Sequence, residues 1–193
     1  FTGPVGPYYA KPVRLKAETH YVRAVPGGTG EAKAAGNYAG ALLPAELAKK
    51  EGFDQVMWMD GHEFKYVQEV GTMNIFFVID GKVVTPATDG AILKGITRAT
   101  ILESLQEKGI PVEERKLDIH ELIEAHKNGT LQEAWGTGTA AVVAPVESIT
   151  YEGYTISLPT VDQFTIGNQM KDYIDGLRSG RIEDTHGWVV EIQ

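Results

Sequence analysis

Lys33 sits in the run Pro26-Gly27-Gly28-Thr29-Gly30-Glu31-Ala32-Lys33-Ala34-Ala35-Gly36-Asn37-Tyr38, where nearly every neighbour is small. A long amine among small residues either lies along the surface or reaches into a crowded pocket. The first is the commoner fate of a lysine. The second is what covalent amine catalysis requires. A Schiff base to a flat cofactor needs close backbone approach, which glycine and alanine permit. A phosphate loop of the nucleotide-hydrolase kind does not fit. It needs Gly-Lys followed by Ser or Thr, whereas Ala32 precedes Lys33 and Ala34 follows it.

Three further segments carry possible chemistry. Glu69 lies between a polar stretch and an apolar run. It is either a surface carboxylate at a strand end or a carboxylate that holds a proton on a pyridine nitrogen, which makes the ring a better electron acceptor. Leu93-Lys94-Gly95-Ile96-Thr97-Arg98 leads into a helical pattern. Gly95, Ile96 and Thr97 then offer backbone N–H groups at a helix N-terminus, either as an anion site or with Thr97 as a plain cap. Gly136-Thr137-Gly138-Thr139-Ala140-Ala141 is a second turn of small residues. It is an ordinary turn, or a place where N–H groups meet a phosphate or carboxylate. Among the five histidines, His120 and His126 lie six apart on a predicted helix and do not share a face. No metal-ligand spacing and no Ser-His-Asp set stands out.

These residues need elements to place them. Short apolar runs predict strands over 21–25, 55–59, 74–79 and 139–143. Helical patterns cover 38–50, 97–108, 118–127 and 161–178. Pro44 conflicts with the first of these and should kink or divide it. Asp118 is a plausible N-cap. Gly167 and Gly176 weaken the last helix. Asp80-Gly81 between two apolar runs is a hairpin signal. Helices mixed with strands and at least one hairpin imply an α+β domain, not a purely parallel sheet.

The 193 residues suffice for one good-sized domain, and no repeat or long linker divides them. A formal charge of −8 without a Lys/Arg cluster argues against nucleic acid as a partner. The apolar run 140–146, interrupted by Pro145, is too short to cross a membrane as a helix. The chain has no cysteine, so it has no disulfide or thiolate site, which fits a reducing, cytoplasmic setting. It starts at Phe1, in an irregular stretch over 1–9, and reads as the middle of a longer protein.

Taken together, these segments resemble the fold-type IV, pyridoxal-phosphate-dependent aminotransferases. Glu69, Asn74-Ile75-Phe76, Val83-Val84-Thr85 and Leu93 to Arg98 match the family's long signature in residue type and spacing. Gly27 to Lys33 with Gly36-Asn37-Tyr38, and Gly136 to Ala140, look like the branched-chain amino-acid aminotransferases. The resemblance runs through the whole chain, 1–193, and implies the family's large C-terminal domain, a mixed-sheet pseudo-barrel with surrounding helices. The N-terminal small domain, which supplies a phosphate-binding arginine, is expected to be absent. The implied cofactor is pyridoxal 5'-phosphate. Lys33 would carry it covalently and move the substrate's α-proton. Tyr38 would bond its phenolic oxygen and Glu69 its ring nitrogen. Gly95, Ile96 and Thr97 would hold its phosphate, with Thr139 assisting. Thr139 and Ala140 would meet the substrate carboxylate, and Thr72 would line the same pocket. Where some relatives carry a Cys-x-x-Cys redox pair, this chain has Ala141 and Ala144. The resemblance further implies amino-acid and 2-oxo-acid substrates and a homodimer. D-amino-acid aminotransferases, aminodeoxychorismate lyases and an inert fragment acting only in assembly are the alternatives.

Overall fold

The computed structural model describes residues 11–190; the stretch 1–9, read above as irregular, lies outside them. The elements in chain order are β1 (Val13–Ala17), α1 (Ala35–Lys50), β2 (Gln55–Met59), β3 (Val67–Val70), β4 (Met73–Ile79), β5 (Lys82–Pro86), α2 (Ile96–Glu107), β6 (Val112–Arg115), α3 (Ile119–Lys127), β7 (Leu131–Thr137), β8 (Ala144–Tyr151), β9 (Tyr154–Ser157), a 3-10 turn at Val161–Gln163, and α4 (Ile166–Arg178).

The sheet closes on itself. β1 pairs in parallel with β2 and β8. The contacts β2–β3, β3–β4, β4–β7 and β7–β8 are antiparallel and complete a six-strand ring. β5 and β6 extend outward from β4, and β9 pairs with β8. Closure pairs each ring strand on both sides, so the sheet's edges fall on the outer strands β6 and β9. This is the mixed α+β pseudo-barrel the resemblance implied.

β4 explains the two-layered core. Ile75 and Phe77 join a cluster drawn from all six barrel strands and α3, including Leu15, Met57, Val70 and Ile149. Phe76 and Val78, on the other face, pack with Ile101, Leu105, Trp135 and Met170 beneath α2 and α4. Burial on both faces is why β4 reads as an apolar run from Ile75 to Ile79. Its hairpin to β5 turns at Asp80 and Gly81, with φ of 49° and 73°. Two consecutive positive-φ residues match the twist of the flanking strands.

Several expectations need correction. The run 21–25 is not a strand; the strand of this region is β1, upstream of it. The run 139–143 is the turn between β7 and β8. The helix expected over 161–178 is interrupted at Phe164-Thr165, leaving the 3-10 turn and α4. Pro44 does not divide α1, which runs unbroken through it. The proline is buried against the rest of the domain, and packing outweighs the backbone bond it forfeits. Helices α2 and α3 lie within two residues of their expected positions, and Asp118 caps α3 by accepting from His120 N.

Candidate active site

The strand register sets the site. Glu69 on β3 is opposite Asn74 on β4, and Asn74 is opposite Thr137 on β7. These three polar residues form a row at one rim of the barrel, and all three are buried. Above them opens a cavity of about 440 Å³, within the usual range for small-molecule sites.

Lys33 enters this cavity from the loop between β1 and α1. The loop is stitched to the helix behind it. Asn37, buried in the first turn of α1, donates through Nδ2 to the Thr29 and Ala32 carbonyls at 2.8 and 3.0 Å. Thr29 Oγ1 donates back to Asn37 Oδ1 at 2.6 Å. Gly30 is required for a different reason: a Cβ there would lie 2.3 Å from the Ala91 carbonyl oxygen. The small residues around Lys33 therefore let two backbones touch.

Glu69 is 2 % exposed. Its Oε1 accepts from Leu93 N at 2.8 Å and Asn74 Nδ2 at 3.2 Å. Its Oε2 lies 2.8 Å from Arg23 Nε, an ion contact whose N–H is not aligned for a hydrogen bond. Burial pushes the carboxyl up to about 7, while Arg23, the Leu93 N–H and Arg98 pull it down and Asp89 pushes it up. Desolvation outweighs the partners, as expected for a carboxylate sunk below a sheet rim.

The third wall is the start of α2. Gly95 precedes the helix in extended conformation, and no described side chain caps it or places a negative charge in its first turn. Ile96, 81 % exposed, and Thr97 line the cavity. The positive end of the helix dipole therefore meets no negative side chain from its own first turn. The fourth wall is the β7–β8 turn. Thr137 Oγ1 donates to the Val142 carbonyl, Val142 N donates to the Gly138 carbonyl at 2.9 Å, and Arg178 donates to the Thr139 carbonyl at 2.8 Å. These bonds hold Val142 at φ 57°, a conformation that is uncommon for a β-branched residue and concentrates at functional loops.

All nine residues singled out from the sequence, Lys33, Tyr38, Glu69, Thr72, Gly95, Ile96, Thr97, Thr139 and Ala140, line this one cavity. Lys33, Thr72, Thr139 and Ala140 are exposed there, while Tyr38 and Thr97 are half-buried. Sequence reasoning assigned no part to Arg23, Asn37 or Thr137. Asn37 and Thr137 stood inside quoted motifs, but their bonds run to distant backbone. Away from the cavity, the His186 ring, 16 % exposed, has its two nitrogens 3.9 and 3.3 Å from the exposed carboxylates of Glu103 and Glu107.

A closed mixed barrel with a lysine, a buried acid and a helix N-terminus facing one cavity defines a class, and sequence comparison names it. Residues 4–149 match the family Amino-transferase class IV, and the chain belongs to that family. It is 48 % identical over 192 residues to branched-chain-amino-acid aminotransferase 2 of Bacillus subtilis, covering 98 % of this chain and 53 % of that protein. Among solved structures, it is similar to the branched-chain aminotransferase of Thermoproteus uzoniensis with norvaline. The TM-score is 0.77 at 28 % identity, over 93 % of this chain and 56 % of that one. It is also similar to an aminotransferase of Brucella abortus bound to the cofactor PLP, with a TM-score of 0.73 at 25 % identity, over 90 % and 57 % of the two chains. The chain spans about half the length of the relatives it matches.

Proposed function

We propose that residues 1–193 form the cofactor-binding domain of a pyridoxal-phosphate-dependent branched-chain amino-acid aminotransferase, which moves the amino group of Leu, Ile or Val to 2-oxoglutarate. The observation that carries this reading is the convergence of Lys33, Glu69 and the start of α2 on one cavity. The cofactor's three chemical features each find a counterpart. An aldehyde suits the Lys33 amine, a basic ring nitrogen suits the buried Glu69 carboxyl, and a phosphate suits the uncapped N–H groups of Ile96 and Thr97. The residues present fit the group.

When bound, pyridoxal phosphate supplies an aldehyde that condenses with amines and a ring that accepts an electron pair from the substrate's α-carbon. The protein does the rest. Lys33 Nζ would anchor the cofactor and, as a free amine, would carry a proton from the substrate's α-carbon to the cofactor's C4′ atom. Glu69 keeps a proton on the ring nitrogen, and a cationic ring would pull its carboxyl below the value burial alone sets. Tyr38 Oη bonds the phenolic oxygen. The N–H groups of Ile96 and Thr97 hold the phosphate, and Gly95 lets the backbone approach it. Thr139 and Ala140 N–H groups, in the turn tied down by Thr137 and Arg178, meet the substrate carboxylate, and Thr72 borders its side chain. The redox switch some relatives carry is absent at Ala141 and Ala144.

Homodimeric assembly, which rests on the resemblance, and action in the cytoplasm, which the lack of cysteine fits, belong to the same proposal. No helix among the described residues is long and apolar enough to cross a membrane. Substrate profiling of the intact protein tests the reading. Leu, Ile and Val should be consumed with formation of glutamate. Turnover of D-alanine, or of aminodeoxychorismate, with none of the three, would move the protein elsewhere in the family.

A further inference from the structure

Arg23 lies outside every motif used above, yet its guanidinium joins three walls of the site. Nε is 2.8 Å from Glu69 Oε2, with both side chains at most 7 % exposed. Nη2 donates to the Gly30 carbonyl at 3.1 Å, in the loop that carries Lys33, and to the Ala91 carbonyl in the segment that leads to α2. Gly30 and Ala91 are themselves in close contact. We propose that Arg23 is a positioning residue: its charge favours the ionised form of Glu69 against the effect of burial, and its donors lock the Lys33 loop to the approach of α2. This rests on the function proposed above.

The charge balance around Glu69 supports the first role. Asp89, a like charge, acts on it from one side. Arg98 acts from α2, but it is already committed to Glu114 at 2.7 Å and to the Pro86 carbonyl at 2.9 Å. Lys33 lines the same cavity but is required for chemistry. Arg23 is the cation in direct contact. Without it, a buried acid loses its main opposing charge and stays neutral to higher pH. A neutral Glu69 no longer favours the protonated ring. The second role explains arginine over lysine. A compact ammonium could neutralise Glu69 but could not also span two carbonyls on its far side, as a planar fork does.

Two variants of the intact protein separate these roles. Infrared titration of protein labelled with ¹³C-glutamate, with Glu69→Gln as the subtraction, reads Glu69 directly without added cofactor. In Arg23→Gln, the carboxyl midpoint should rise by about 1 to 3 pH units, the span an adjacent guanidinium commands. The acid limb of the kcat profile should move up with it while KM changes little. In Arg23→Lys, the midpoint should stay near its original place, but the cofactor should dissociate about tenfold faster, the equivalent of one lost hydrogen bond. An unmoved midpoint in Arg23→Gln overturns the electrostatic role, and wild-type release from Arg23→Lys overturns the lock. If Arg23→Gln does not fold, a midpoint in Arg23→Lys raised by the full amount also overturns the electrostatic role. Borohydride reduction of the unsubstituted protein keeps the two proposals apart: no pyridoxyl group on Lys33 would sink the function itself, whatever Arg23 does.

Discussion

A Cβ on Gly95 would lie 2.3 Å from Asn74 Oδ1. The asparagine cannot simply swing away, because its Nδ2 is bonded to Glu69 Oε1 and to the Leu93 carbonyl. The glycine before α2 is thus fitted to the residue that braces the acid, and the anion end of the cavity is coupled to the ring end.

Gly95→Ala should therefore damage both ends at once. We expect a stability loss of about 1–3 kcal/mol from the overpacked contact and cofactor affinity weakened by at least about tenfold. Gly40→Ala, in the middle of α1 with nothing within 4 Å of the added methyl, is the control and should stabilise by up to about 1 kcal/mol. Spectroscopic cofactor titration and urea unfolding measure the pair. Wild-type affinity in Gly95→Ala would contradict the coupling.

Glu69 should leave a pH signature on folding. Its folded value of about 7 lies above the ordinary 4.5, so the folded state binds the proton more tightly. The group's contribution is fully present below pH 4.5 and is lost as pH rises toward 7. Its size is of order 3 kcal/mol. The stability of cofactor-free Glu69→Gln relative to wild type should grow across that window and level off above it. Urea unfolding at a series of pH values reads this directly, and a difference independent of pH would refute the assignment.

Glu133 holds α4 in place from β7. Its Oε1 accepts from Thr165 N, Thr165 Oγ1 and Ile166 N, and its Oε2 accepts from Gly167 N at 2.8 Å. A buried carboxylate thus does the work of an N-cap for a helix 33 residues away. Glu133→Ala should cost about 3 kcal/mol. Asp118→Ala, which removes the more exposed local cap of α3, should cost about 1 kcal/mol. Equal losses in thermal unfolding would show that burial adds nothing to the cap.

These cases mark what could be read from sequence. β2 and β4 were legible because their apolar runs are continuous, and the β4–β5 hairpin because Asp80-Gly81 takes a conformation few other pairs adopt. β7 was not, because Glu133 sits within it as a buried acid whose partners lie on α4. The run 139–143 misled in the opposite way. Val142 and Val143 are buried by packing with the Trp135 cluster while the backbone turns. The run 21–25 has strand-like residues, but Val22 and Val25 pack on Gly61 and Arg23 turns to Glu69. The nine residues singled out from the sequence could be placed on one cavity because they fall in contiguous motifs. Arg23 was not, because nothing local distinguishes an arginine that meets an acid 46 positions later.

Lys33 is the residue on which the proposed chemistry depends. Borohydride reduction of the intact protein with pyridoxal phosphate, followed by peptide mass spectrometry, should place a pyridoxyl group on Lys33 Nζ and on no other residue, and Lys33→Ala should carry none and have no turnover. A label on another lysine, such as Lys94 beside the same cavity, or full activity in Lys33→Ala, would contradict it.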